Sequence, residues 1–183
     1  PGTGKSMLAT SLATRLGINK VIGTDSIREI MRLAFSNDLL PTLFHSTTEA
    51  WKGLPMEFQS SEQLIAGYCL QANQVSLGVR AVVERTVEEG ENLIVEGAHL
   101  VPFLHEIAKK EMVDAYHIPI TLSIMNEKHH RARFSERGTK NLRKIENFYL
   151  ERFDGIRSIH EYTLTQCETV EVEVFDNEAL DET

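Results

Sequence analysis

The chain has 183 residues, 42% hydrophobic and 25% charged, a composition that suits one globular domain with a sizeable core and fits no disordered or fibrous class. A formal net charge of −8 argues against a general binder of nucleic acid or anionic membrane. Cys69 and Cys167 lack C-x-x-C spacing, no apolar run is long enough to span a membrane, and no signal peptide is visible, so a reducing cytoplasm is the expected setting.

The chain opens on Pro1-Gly2-Thr3-Gly4-Lys5-Ser6, whose last three residues match the closing half of G-x-x-x-x-G-K-[ST]. In that phosphate-binding loop backbone N–H groups cradle the phosphates, the Lys reaches the outer ones, and the Ser hydroxyl ligates Mg²⁺. The bland alternative is a helix start with two turn glycines. Apolar residues at 8, 9, 12, 13 and 16, closed by Gly17, supply the helix that the motif requires. Gly2, Thr3, Gly4, Lys5, Ser6 and Met7 are therefore the expected ATP-binding residues, and Lys5 is also assigned to catalysis. Such a loop is fed by a strand at the middle of a sheet, so the polypeptide is expected to extend upstream, and residues 1–183 read as one kinase domain truncated at its N-terminus.

Lys20–Gly23 reads as a short strand, and a helix from about Ile27 to Phe35 follows, with Ser26 and Glu29 at capping-box spacing and Ile27, Ile30, Met31 and Ala34 inward. Ligands of open α/β sheets bind beyond the carboxyl ends of the strands, which is where Asp25 falls. Asp25, Arg28 and Arg32 share a helix face: either a dipole-serving Asp with two solvated arginines, or an acid that orients or deprotonates an acceptor hydroxyl while the arginines grip an acidic acceptor. Residues 36–60 lack periodicity and read as a substrate-side loop or lid.

A long helix is expected over 61–89, with a bend at Gly78, then a buried strand over 92–96. Glu96 ends that strand, where an acid can reach Mg²⁺ through water, so Ser6 and Glu96 are the candidate metal residues. His99 is either a polar loop residue or a substrate contact. A helix from Pro102 to about Glu111 and a strand over 118–125 come next. From Asn126 to Arg157 nine Lys/Arg stand against five Asp/Glu, a local charge of +4 that leaves −12 for the rest and fits a small anionic ligand. The helix Glu127–Arg137 begins a lid over about 126–140, in which Arg131, Arg133 and Arg137 would neutralise the transferring phosphoryl group, or else form a solvated basic face. One long helix from Leu142 and an edge strand over 170–175 complete an α/β pattern with a parallel sheet.

Gly4-Lys5-Ser6, Arg15–Ile18, Val21–Arg32 (with Gly-Thr-Asp-Ser-Ile-Arg at its centre), Ile94–Pro102, His130–Phe134 and Asp176-Asn177 together resemble the 2-phosphoglycerate kinase family of P-loop kinases. The resemblance spans nearly the whole sequence. It implies ATP-dependent phosphorylation of the 3-hydroxyl of 2-phosphoglycerate, giving 2,3-bisphosphoglycerate. The fold it implies is that of P-loop nucleoside triphosphate hydrolases, a five-stranded parallel sheet of order 2-3-1-4-5 flanked by helices, its first strand upstream of Pro1. Two alternatives stand beside it: a kinase of the same fold acting on a nucleotide, nucleotide sugar or inositol phosphate, and a non-catalytic ATP-binding regulator. A GTPase is disfavoured, because no N-K-x-D follows a late strand. Oligomeric state is not legible.

Overall fold

The structure, a computed structural model, describes residues 1–55, 62–102, 115–137 and 143–178, with the side chains of 135–137 and 143–146 outside the description. Helix α1 (Lys5–Leu16) starts at Gly4 and ends where Gly17, in the left-handed region, turns its N–H back to Ala13 O. Ala9 and Ala13 are its buried residues, small enough to lie close against the sheet. Strand β1 (Lys20–Gly23) follows and pairs in parallel with β2 (Leu93–Glu96), Gly23 opposite Glu96.

Helix α2 covers Thr24–Ala34, three residues earlier than the spacing predicted. Gly23 is its N-cap without a side-chain cap bond, so the Ser26–Glu29 capping box does not form; Glu29 takes Arg28 and Arg32 as partners instead. Ile27 and Met31 are buried as expected, but Ile30 is 68% exposed and Ala34 is exposed as well. Starting the helix at Thr24 leaves its inward stripe at 24, 27 and 31, which excludes 30 and 34.

The described part of the 36–60 insertion is packed rather than loose. Two 3-10 turns, Pro41–Phe44 and Thr47–Gly53, bury Leu43 and Ala50 completely. Leu43 joins Ile27, Met31 and Val75 in one hydrophobic cluster, each such side chain contributing about 1.5–3 kcal/mol of burial. Glu49 fastens the second turn: it accepts from Lys52 at 2.6 Å and Ser46 at 3.0 Å, and pairs with Arg152 at 3.2 Å. The hydrogen bond from Lys52, then that from Arg152, lowers the Glu49 carboxyl to about 2. A depressed acid stabilises the fold above its unfolded pKa of about 4.3 and loses that contribution as pH falls toward 2. Glu49→Gln is therefore expected to cost about 1 kcal/mol at pH 6 and about a quarter of that at pH 2.5, read from urea midpoints at the two pH values.

Helix α3 (Gln63–Glu88) is the longest element and carries the buried stripe Tyr68, Gln71, Ala72 and Val75. Gly78 has a packing role in it: a Cβ there would meet Ile27 Cγ2 at 2.5 Å, so the glycine lets α2 and α3 approach. Of the helix expected from Pro102, residues 103–111 lie outside the described residues. Strand β3 is Thr121–Ser123, shorter than the expected 118–125, and pairs in parallel with β4 (Val174–Asp176). Helix α4 (Glu127–Arg137) matches its expected bounds, and Gly138–Lys140 of the lid segment lie outside the described residues.

The single helix expected from Leu142 is two, α5 (Arg143–Glu151) and α6 (Phe153–Val170), broken at Arg152. The edge strand is also shorter than its valines indicated: Val170 ends α6, Glu171 caps it at φ 55°, Val172 is buried, and pairing starts at Val174. The molecule is α/β, with parallel strands and flanking helices. Its four described strands form two parallel pairs, β1-β2 and β3-β4. No helix among the described residues is long and apolar enough to cross a membrane. Cys69 and Cys167 are free thiols.

Candidate active site

The carboxyl ends of β1, β2 and β4 lead to residues that surround or neighbour the glycine turn at Pro1–Ser6. Gly4 is at φ +87°, and a Cβ on it would lie 2.5 Å from Asn177 Nδ2, so the turn can be both left-handed and close to the chain after β4. Asn177 Nδ2 donates to Thr3 O at 2.8 Å, and Pro1 O lies 2.8 Å from His130 Nε2 of α4. Gly4 O accepts from the amides of Met7 and Leu8, which starts α1 with its N-terminal end at the turn.

Lys5 Nζ donates to Thr3 Oγ1 at 3.3 Å, folding its cation back over the turn. Ser6 Oγ donates to Glu96 Oε1 at 3.0 Å, so the two residues assigned to metal from sequence, 90 positions apart, are in contact. A hydroxyl and a carboxylate are hard oxygen donors of the kind Mg²⁺ takes together with waters and phosphates. Among the described residues no group of three or more His, Cys, Asp or Glu could hold a metal ion.

Past the end of β1, Asp25 stands at the start of α2, its side chain 74% exposed. His99 Nδ1 is 4.0 Å from Asp25 Oδ1 and 2.8 Å from Thr24 Oγ1, and His99 Nε2 is 3.1 Å from Gln71 Oε1. His99 lies in the turn after β2, as its surroundings in sequence indicated, but it is almost fully buried. That burial pushes its imidazole down to about 4; Asp25 pulls the other way and Arg28 adds to the lowering. The ring is neutral at physiological pH.

Arg28 does not point freely at an acceptor. Its Nη1 donates to Leu43 O at 3.1 Å and His45 O at 2.8 Å, its Nη2 to Glu29 at 2.7 Å, and its Nε lies 3.9 Å from Asp25 Oδ1. Arg32 is held by the same Glu29 at 2.6–2.9 Å. In the basic helix, Arg133 donates to the carbonyls of Asn177 and Glu178, while the Arg131 guanidinium sits 4.9 Å from the Phe153 ring centroid. Arg137 ends α4, and its side chain lies outside the described residues.

Thr24 and Gln71 contact His99, and His130 and Asn177 contact the glycine turn, although composition and spacing assigned these four no role. Gln71 carried a usable signal: it falls at i+3 of Tyr68 on the apolar stripe of α3, where an amide needs buried partners.

Comparison with known proteins places these residues in context. Over its whole length the chain is 41% identical to a 2-phosphoglycerate kinase of Pyrococcus furiosus, 40% to one of Methanocaldococcus jannaschii and 38% to one of Methanopyrus kandleri. It spans 58%, 57% and 55% of these proteins, so it corresponds to a little over half the length of the curated relatives it matches. No protein-family model matches the chain, and no solved structure does. Whole-chain identities of 38–41% show that these 183 residues belong to the 2-phosphoglycerate kinase family.

Proposed function

We propose that the chain is the phosphotransfer part of an ATP-dependent kinase that converts 2-phosphoglycerate to 2,3-bisphosphoglycerate. The observation that carries the reading is the Ser6–Glu96 contact at 3.0 Å, which brings the glycine turn and the strand-end acid to one point beside Lys5. The acceptor is taken from what the relatives are named for.

In this reading Gly2–Met7 hold the ATP phosphates on backbone amides and Lys5 neutralises the outer ones. Ser6 and Glu96 would hold Mg²⁺, which when bound neutralises charge on the phosphates. Asp25 orients or deprotonates the acceptor hydroxyl, and Arg28, Arg32 and His99 line the acceptor side. Arg131, Arg133 and Arg137 belong to a lid over about 126–140 that offsets charge on the moving phosphoryl group. Two parallel pairs whose ends both lead to the glycine turn support a five-stranded sheet in which a strand feeding Pro1 fits between β2 and β3, giving the order 2-3-1-4-5. In the same proposal the chain acts as a single domain in the cytoplasm on a small anionic substrate.

A second reading, a kinase of the same fold with another acceptor, has one observation in its favour. Arg28 and Arg32 are both engaged by Glu29, and Arg28 also by loop carbonyls, so a phosphorylated acid must displace these bonds to be gripped. ADP release by the full-length protein with ATP, Mg²⁺ and a panel of acceptors separates the two. Turnover on 2-phosphoglycerate alone is expected; turnover only on a nucleotide, nucleotide sugar or inositol phosphate would replace the substrate, and tight ATP binding without any transfer would replace the enzyme. Asp25→Asn is expected to lower kcat by about 10²-fold or more with the KM for ATP unchanged, because it removes the hydroxyl's proton acceptor and leaves the glycine turn intact.

A further inference from the structure

The buried chain Thr24–His99–Gln71 has a fixed polarity. Gln71 Nε2 donates to Thr42 O at 2.5 Å and His45 O at 3.0 Å. The amide cannot be turned over, because its oxygen would then face two carbonyl oxygens. Gln71 Oε1 is therefore the atom presented to His99, and it can only accept, so His99 Nε2 carries the ring proton. A neutral ring with its proton on Nε2 has a bare Nδ1, which accepts a hydrogen bond from the Thr24 hydroxyl at 2.8 Å. Thr47 Oγ1, 3.5 Å from Nε2, is compatible with the same tautomer.

The consequence falls on Asp25, whose Oδ1 lies 4.0 Å from His99 Nδ1. A bare Nδ1 has no proton to offer that carboxylate. An imidazolium would have one, and it would hold Asp25 in an ion pair. We propose that Gln71 and His99 are positioning residues that keep Nδ1 unprotonated and so leave Asp25 open to the acceptor hydroxyl. This rests on the kinase reading of Asp25. The same amide ties the 42–45 segment, which Arg28 holds from the other side, so tautomer and acceptor-side loop are set by one side chain. Of the groups that face His99 among the described residues, Asp25 and Arg28 of α2 are charged, while Gln71 of α3, Thr47 of the insertion and Thr24 are not.

The test begins with ¹⁵N NMR of histidine-labelled full-length protein without substrates. His99 is expected as the neutral Nε2–H tautomer throughout about pH 5–8. Gln71→Met removes the acceptor at Nε2 without adding a charge, so the neutral His99 ring should pass in part to the Nδ1–H tautomer, which offers its proton to Asp25. Its kcat should then fall about tenfold across the same pH range, with the KM for ATP unchanged. A wild-type Nδ1–H tautomer overturns the proposal and needs no variant to fold. So does a Gln71→Met protein that takes the Nδ1–H tautomer with kcat unaltered, or one that keeps the Nε2–H tautomer alone. If the wild-type protein transfers no phosphate, the kinase reading falls by itself.

Discussion

Lys5→Met is expected to lower kcat/KM by about 10²- to 10³-fold while leaving the thermal midpoint of the protein nearly unchanged. Lys5 Nζ has Thr3 Oγ1 at 3.3 Å, a bond within the turn, and Ser6, Asn177 and the Gly4 carbonyl make the bonds that anchor the turn to the fold. Removing the cation takes away the charge proposed to meet the phosphates, while the bonds of Ser6, Asn177 and the Gly4 carbonyl still anchor the turn. Its location at the N-terminal end of α1 sharpens the expectation, since a helix start already repels a cation and tolerates one best where an anion binds. Steady-state kinetics beside a melting curve check both halves. Unchanged kcat/KM would remove Lys5 from the catalytic set, and a collapsed midpoint would make it a structural residue.

Gly97→Ala is expected to be the most damaging small substitution for the fold, at about 4 kcal/mol, combining a strained backbone with a buried clash. Gly97 has φ +149°, and a Cβ on it would lie 1.8 Å from Thr24 Oγ1 and 2.8 Å from Thr24 Cβ. Thr24 cannot retreat, because it is fully buried and bonded to His99. On the other side, Tyr68 holds Ala98 O at 2.7 Å, which limits how far the β2 end can shift. Gly90 is the control: it is also left-handed, at φ +67°, but nothing stands within 4 Å of its Cβ position. Gly90→Ala should cost about 1 kcal/mol, the price of the backbone region alone. Urea denaturation of both variants compares them directly, and equal losses would mean that the Thr24 contact carries no weight.

What could be read from sequence was what short-range periodicity encodes. The start of α1 and its Gly17 stop, β1, most of α3, β2 and the bounds of α4 follow from apolar spacing and turn residues. The errors have local physical causes. The start of α2 was misplaced because Ser26 and Glu29 offered a capping box, whereas two arginines on the same helix compete for Glu29. The break at Arg152 was hidden because Phe153, Ile156 and Ile159 continue the apolar spacing of the preceding helix across it. Alternating valines at 170, 172 and 174 imitated a strand where the first ends a helix and the second is buried in the connecting turn.

Position was legible where a motif fixes it. Lys5, Ser6, Asp25 and Glu96 lie at or near the glycine turn and the ends of β1 and β2, as their spacing predicted. Long-range hydrogen bonding was not legible. No local pattern announces that Gln71 would orient His99, that Asn177 would hold Thr3, or that Arg28 would hold two carbonyls of the insertion. Arg28 was legible as a charge on the helix face it shares with Asp25, whereas its carbonyl partners at 43 and 45 belong to tertiary packing.

The central claim is that phosphate passes from ATP to 2-phosphoglycerate at this turn. ³¹P NMR of the full-length protein with ATP, Mg²⁺ and 2-phosphoglycerate tests it most directly. The account predicts loss of the ATP γ-resonance matched by a second phosphomonoester resonance on the same product, 2,3-bisphosphoglycerate. Unchanged ATP, or ADP and inorganic phosphate with no bisphosphorylated product, would contradict it.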